Sequence, residues 1–284
     1  MRPTSLPLLL LLVITTSCTA GKAGPAAGAA IPECDPAAPE TPYDRFFSRD
    51  DGTGLALAGR VSSVLEELSA GRDRYLRTGE PVELFPTIYY HTTRFGFDLA
   101  LRDGNEEGPV LLDMILRFYD AYKNNRDRHD TGKAPEAHWM PFFEAASAAD
   151  PDIGIQESID ILNEGVDAHI LYDVPRFVRR MRDEGTVDEA VLRSAFKRFD
   201  EVFDRASEDL RKDLSERDPA SAGMEFDSLF RSAASMVRFK RARGFELGMS
   251  DRPLATVEPQ PVLEHDPGSR KFFPEQLLRR GICR

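Results

Sequence analysis

Residues 111–122 read LLDMILRFYDAY, and this stretch decides the fold class. Its apolar side chains recur at spacings of three and four residues, which places them on one face of an α-helix. Similar stripes begin near Leu57, Ile155 and Phe226, whereas the alternation typical of half-buried strands is scarce. The sequence therefore predicts an all-α, single-domain helical bundle of six to eight helices over residues 43–250.

Both ends of the chain lack this periodicity, so we expect irregular tails. Residues 1–18 carry one arginine followed by a short apolar run, which predicts a signal peptide and export. Residues 19–42 are rich in Ala, Pro and Gly and predict a flexible tether. Residues 251–284 predict a proline-rich C-terminal tail on the surface, with a short turn near Leu277. No segment reaches the roughly 20 apolar residues that a transmembrane helix needs.

The three cysteines bear on location. The segment TTSC ending at Cys18 resembles a bacterial lipobox, which predicts a lipid anchor at Cys18 and a place at the cell membrane. Ordinary cleavage near Ala20 or Ala29 would instead release an extracellular protein. Cys34 and Cys283 remain, and they are either bridged in an oxidising compartment or free thiols.

The charge balance excludes one class of partner. A net charge of −11 and a pI near 5.1 argue against a nucleic-acid partner, because binding to phosphate backbones relies on clustered positive charge. We interpret two basic runs, at residues 176–182 and 238–243, as solvated helix faces. The expected partner is therefore a small molecule or a component of the cell envelope.

The segment GVDAHILYDVP, residues 165–175, is the main candidate for chemistry. His169 and Asp173 lie one helical turn apart, and Pro175 is expected to kink or break the helix. In one interpretation the imidazole and the carboxylate bind a divalent ion such as zinc. In the other, Asp173 caps a new helix and His169 only donates a hydrogen bond to it.

A catalytic zinc ion needs about three protein ligands, so a further ligand must come from elsewhere. His91, on a predicted early helix, is our candidate for the third metal ligand beside His169 and Asp173. Glu164 and Asp167 are the candidates for a catalytic base or for support of the ligands. We expect His129 and His138 to be surface or capping histidines.

Two segments carry a resemblance to a known family. YYHTT at residues 89–93 and DAHILYDVP at residues 167–175 resemble segments of an uncharacterised exported actinobacterial family, a domain of unknown function. Its members show a Tyr-Tyr-x-Thr-Thr type and an Asn-Ala-His-Ile-x-x-Asp-Leu-Pro type segment. The resemblance covers residues 43–248 and implies fold and export but no activity.

A fainter resemblance concerns Gly165, His169 and Asp173. Their spacing is similar to the Gly-x-x-x-His-x-x-x-Asp pattern that places two zinc ligands on one helix of the zinc phospholipase C and single-strand nuclease group. Those proteins use several further histidines, whereas this chain has five in all, so the resemblance implies at most one zinc ion. Two hypotheses follow: a metal-dependent hydrolase of phosphoesters or esters, and a non-catalytic cell-envelope protein in which His169 and Asp173 are structural.

Overall fold

A computed structural model describes residues 41, 43, 44, 46, 52–102, 106–218, 226–254, 270–274 and 277. The predicted signal peptide, almost all of the predicted tether and all three cysteines lie outside these residues. The lipid anchor at Cys18 therefore stays a prediction, as do the two alternatives for Cys34 and Cys283, bridged or free.

The described part of the chain is helical and contains no strand. Its α-helices are α1 Thr53–Thr78, α2 Leu84–Arg102, α3 Glu107–Asp130, α4 Met140–Ala148, α5 Ile155–Ala168, α6 Val174–Glu184, α7 Glu189–Arg198, α8 Phe203–Arg217 and α9 Phe226–Met249. A π-helical turn at His169–Asp173 joins α5 to α6, a 3₁₀ turn at Phe199–Val202 joins α7 to α8, and another at Pro81–Glu83 precedes α2. If each joined pair counts once, the described residues form seven continuous helices, and the predicted all-α, single-domain bundle is confirmed.

The core lies between helices that pack against one another. α1 packs on α2 and α3, α2 also contacts α8, and α9 covers α6 and the π turn. The stripe at residues 111–122 faces this core, with Leu111, Met114, Ile115 and Tyr122 all buried. None of the described helices is both long enough and apolar enough to cross a membrane.

Local sequence sets several helix boundaries. α1 ends at Gly79, whose φ of 73° suits glycine and whose N–H donates to the carbonyl of Tyr75 (2.8 Å). At the start of α7, the Asp188 carboxylate accepts hydrogen bonds from the backbone N–H groups of Ala190 and Val191. Glycine and aspartate are the residue types that favour these two positions.

The described part of the C-terminal tail reaches the core. Phe273 and Leu277 are buried, and the Phe273 ring lies 5.6 Å from the Phe97 ring, centroid to centroid. The backbone N–H of Phe272 donates to the Ser62 hydroxyl (3.1 Å). The tail was predicted to lie on the surface. The side chains of Phe273 and Leu277 instead belong to the core of the bundle.

Two glycines let α9 approach the π turn and α6. A Cβ at Gly244 would lie 2.8 Å from the carbonyl oxygen of Ile170, and one at Gly248 would lie 2.7 Å from Cβ of Val178. Real Cβ atoms essentially never approach other atoms this closely. Any side chain at either position would therefore push α9 away from the π turn or α6.

We expect Gly244→Val to lower the free energy of unfolding by about 1–3 kcal/mol, because the added methyl groups overpack the contact with a backbone oxygen. Urea denaturation would measure the change. Ala242→Val, at an exposed position of the same helix, is the matched control and should change stability by less than about 0.5 kcal/mol. Equal effects of the two substitutions would contradict the close approach.

Candidate functional site

Pro175 shapes the backbone at the site. Proline has no backbone N–H and therefore cannot donate to the carbonyl of Leu171, four residues earlier. The chain forms a π-helical turn over His169–Asp173, in which the N–H of Val174 donates to the carbonyl of His169. The helix is therefore not broken at Pro175, as one form of the prediction had it, and the Asp173 side chain makes no capping hydrogen bond. Single π turns inside α-helices are frequent at functional sites.

The carboxylate of Asp173 is the centre of a buried polar cluster. Its Oδ2 accepts hydrogen bonds from Nδ1 of His169 (3.0 Å) and from the indole N–H of Trp139 (3.2 Å). Its Oδ1 accepts one from Nε2 of His138 (2.9 Å). The side chains of Asp173, His138 and His169 are each at most 5 % exposed. Three N–H donors thus satisfy a carboxylate that water barely reaches.

These contacts determine the charge of Asp173 and the tautomer of His169. Burial alone would raise the pKa of Asp173, but the hydrogen bonds from His138 and His169 lower it below the ordinary value. An ionised carboxylate only accepts hydrogen bonds, so the ring nitrogen that faces it, Nδ1 of His169, must carry the hydrogen. In the neutral ring Nε2 then has a free lone pair.

Aromatic side chains surround the His169 ring. Its centroid lies 3.6 Å from that of Phe118, 5.2 Å from that of Tyr89 and 5.4 Å from that of Phe85. Burial lowers the pKa of His169, and the hydrogen bond to Asp173 only partly offsets this shift. Nε2 is buried and has no hydrogen-bond partner within the described part of the chain. His169 is therefore a neutral imidazole with an unused acceptor.

His169 lies in the wall of a pocket between α2, α3, α5, α6, α8 and α9. The pocket has a cavity volume of about 120 Å³, or about 1100 Å³ when all the unfilled space up to its open mouth is included. Among the described residues that line it, Arg241 is the one charged side chain. The others are mostly apolar, for example Ile88, Ile115, Phe118, Leu162, Val166, Phe177, Phe203, Leu210 and Val237.

Three side chains could hold a metal ion on the other side of Asp173. Glu136, His138 and Asp173 each offer one ligand atom, and these atoms lie within 4.8 Å of one another. Nη1 of Arg176 lies 3.2 Å from Oε2 of Glu136, 3.4 Å from Nε2 of His138 and 3.5 Å from Oδ1 of Asp173. The guanidinium therefore stands close to where the three ligands would place an ion.

The structure brings together two of the predicted site residues and places a third elsewhere. His169 and Asp173 meet, as their spacing predicts. Nε2 of His91 instead contacts Oδ2 of Asp213 (2.6 Å), a carboxylate that also accepts two hydrogen bonds from Arg72. The group that could hold a metal ion does not include His91, because this contact directs its Nε2 toward α8.

The two acidic candidates lie apart from the Asp173 cluster. Glu164 is exposed, and Asp167 pairs with Lys240 of α9. Neither belongs to the group of Glu136, His138 and Asp173. Their predicted roles as base or ligand support stay predictions.

Sequence reasoning missed four residues of this region. His138 was expected at the surface, yet its side chain is 5 % exposed because it turns inward to Asp173, 35 residues along the chain. Glu136 and Trp139 come from the same loop and reach the same cluster. Arg241 belongs to a run interpreted as solvated, but it is 3 % exposed. The closeness of Glu136, His138 and Trp139 in sequence was the one feature from which a shared site could have been predicted.

Comparison with known proteins gives a family but no activity. No curated protein and no solved structure matches this chain. The model of a family of unknown function matches residues 61–244, which include all of α2–α8. This chain therefore belongs to the family of unknown function DUF5995.

Proposed function

We propose that this protein binds a small molecule with an elongated apolar body and a hydrogen-bond donor that reaches His169. The observation that carries the proposal is the Nε2 atom of His169, which is buried, unpartnered within the described residues and located in the pocket wall. A buried acceptor without a partner is unfavourable, and a ligand hydroxyl or amide would satisfy it.

The pocket supports a ligand of this kind. Protein interiors are usually close-packed, so a largely apolar opening lined by six α-helices is a departure from ordinary core packing. Small-molecule sites combine apolar walls with a few placed polar groups. Asp173 and Trp139 supply the placement here, since they hold the His169 ring in one orientation.

A titration with N-phenyl-1-naphthylamine, a neutral apolar fluorophore, tests the pocket. We expect saturable binding to one site, and about a tenfold or greater loss of affinity in Val237→Trp, because the indole would fill the pocket from α9. Ser235→Trp is the matched control, since Ser235 is exposed on the same helix and does not line the pocket. The same affinity in both variants, or no saturable binding to the wild type, would refute the proposal.

Metal-dependent ester hydrolysis is a second candidate, favoured by the group of Glu136, His138 and Asp173. One imidazole and two carboxylates suit a zinc ion, which would supply a nucleophilic water near neutral pH. Asp173 connects this group to the pocket, because its Oδ1 contacts His138 of the group and its Oδ2 holds His169 of the pocket wall. The guanidinium of Arg176 competes with any ion for the position.

We expect Arg176→Met to bind Zn²⁺ at least about tenfold more tightly than the wild type, because it removes that competing cation. Isothermal titration calorimetry measures the affinity, and hydrolysis of p-nitrophenyl butyrate with and without Zn²⁺ measures the activity. Arg180→Met, one helical turn further along α6, is the control. If the two variants bind Zn²⁺ equally weakly, the metal site is wrong.

For the place of action, we propose export. The support is the sequence of residues 1–18, which reads as a signal peptide with Cys18 as the point of lipid attachment. The ligand or partner would then be met at the cell envelope or outside the cell.

A further inference from the structure

Arg241 is a buried cation in the wall of the apolar pocket. Its side chain is 3 % exposed, on the face of α9 that turns toward α7 and α8. The rings of Phe196, Phe199 and Phe203 surround the guanidinium, with centroids 4.1, 5.0 and 5.0 Å from Cζ. Full burial of arginine is rare unless a partner compensates the charge.

The partner within the described residues uses only part of the guanidinium. Nη1 donates to Oδ1 of Asp200, whose side chain is 30 % exposed. A guanidinium has five N–H donors in a fixed planar fork, and the Nε–H of Arg241 is buried without an acceptor in the described part of the chain. Burial lowers the pKa of Arg241 to about 10, so the side chain remains a cation at neutral pH. Arg241 thus has one donor atom, Nη1, engaged and another, Nε, unused.

The residues that line the pocket indicate which kind of ligand could accept a hydrogen bond from the Nε–H of Arg241. Arg241 is the one charged side chain among the described lining residues, and the apolar lining continues away from it. A planar carboxylate matches the geometry of the guanidinium fork, and in a water-poor pocket such a charge-assisted hydrogen bond is stronger than a neutral one. An aliphatic chain attached to that carboxylate would lie against the apolar side chains.

We propose that Arg241 binds the anionic head group of a long-chain aliphatic carboxylate whose chain occupies the pocket. This inference rests on the proposed function, because it names the class of small molecule that the pocket takes. Arg241 gives the site its preference for an anion, whereas His169 offers an acceptor to a hydroxyl or amide that the ligand carries in addition to its carboxylate.

Calorimetric titration with three probes of equal chain length tests the preference: dodecanoate and dodecyltrimethylammonium below their critical micelle concentrations, and dodecanol below its solubility limit. For the wild type we expect dodecanoate to bind at least about tenfold more tightly than dodecanol, and the cationic probe to bind most weakly. In the double variant Asp200→Asn/Arg241→Met, which removes both charges and so leaves no lone buried ion, dodecanoate should lose this advantage. Affinity for dodecanol should change less than about threefold.

Two further variants keep the test decisive. Arg241→Lys preserves the charge but removes the planar fork, and we expect a reduced preference for dodecanoate in it. Arg243→Met changes an exposed arginine of the same helix that does not line the pocket, so its preference should equal that of the wild type.

The outcomes separate this inference from the proposed function. Equal binding of dodecanoate and dodecanol by the wild type would overturn the role of Arg241 but leave an apolar ligand site in place. A preference for dodecanoate that persists in the double variant would also overturn it. Failure of all three probes, and of the neutral fluorophore, would count against the proposed function itself.

Discussion

The buried carboxylate of Asp173 is the constraint on which the rest of the site depends. A carboxylate removed from water is tolerated only when hydrogen-bond donors compensate it, and here two imidazoles and one indole do so. Those three rings come from the loop before α4 and from the π turn, so a single charge ties together distant parts of the chain. Because Oδ2 holds Nδ1 of His169, the opposite nitrogen of that ring is left without a partner in a residue that lines the pocket.

The pocket contains buried polar atoms without partners, and their burial is unfavourable for folding. Two of its lining residues carry a buried polar atom without a partner among the described residues: Nε2 of His169 lacks a donor, and Nε of Arg241 lacks an acceptor. Such atoms are uncommon in folded proteins, and each requires a physical explanation. A ligand that supplies one donor and one anionic acceptor explains both, and an apolar chain on that ligand explains the largely apolar lining between them.

The parts of this structure that were predictable from sequence are those that local spacing decides. The stripe at residues 111–122 became a buried helix face, and His169 met Asp173, because contacts three and four residues apart follow from helix geometry alone. His138 could not be assigned in this way, since its contact with Asp173 spans 35 residues and depends on how α4 packs. Arg241 was misread for a similar reason. Its basic neighbours suggest a solvated face, but contacts with Phe196, Phe199 and Phe203 bury Arg241 alone among them.

The tautomer of His169 is the most direct test of this account. Nitrogen-15 NMR of selectively labelled histidine at neutral pH reports which ring nitrogen carries the hydrogen, and substitution of His169 by glutamine assigns the signals. The account predicts a hydrogen on Nδ1, where Asp173 accepts it, and a bare lone pair on Nε2. A hydrogen on Nε2, or on both nitrogens, would show that the ring offers no free acceptor to the pocket and would contradict the account.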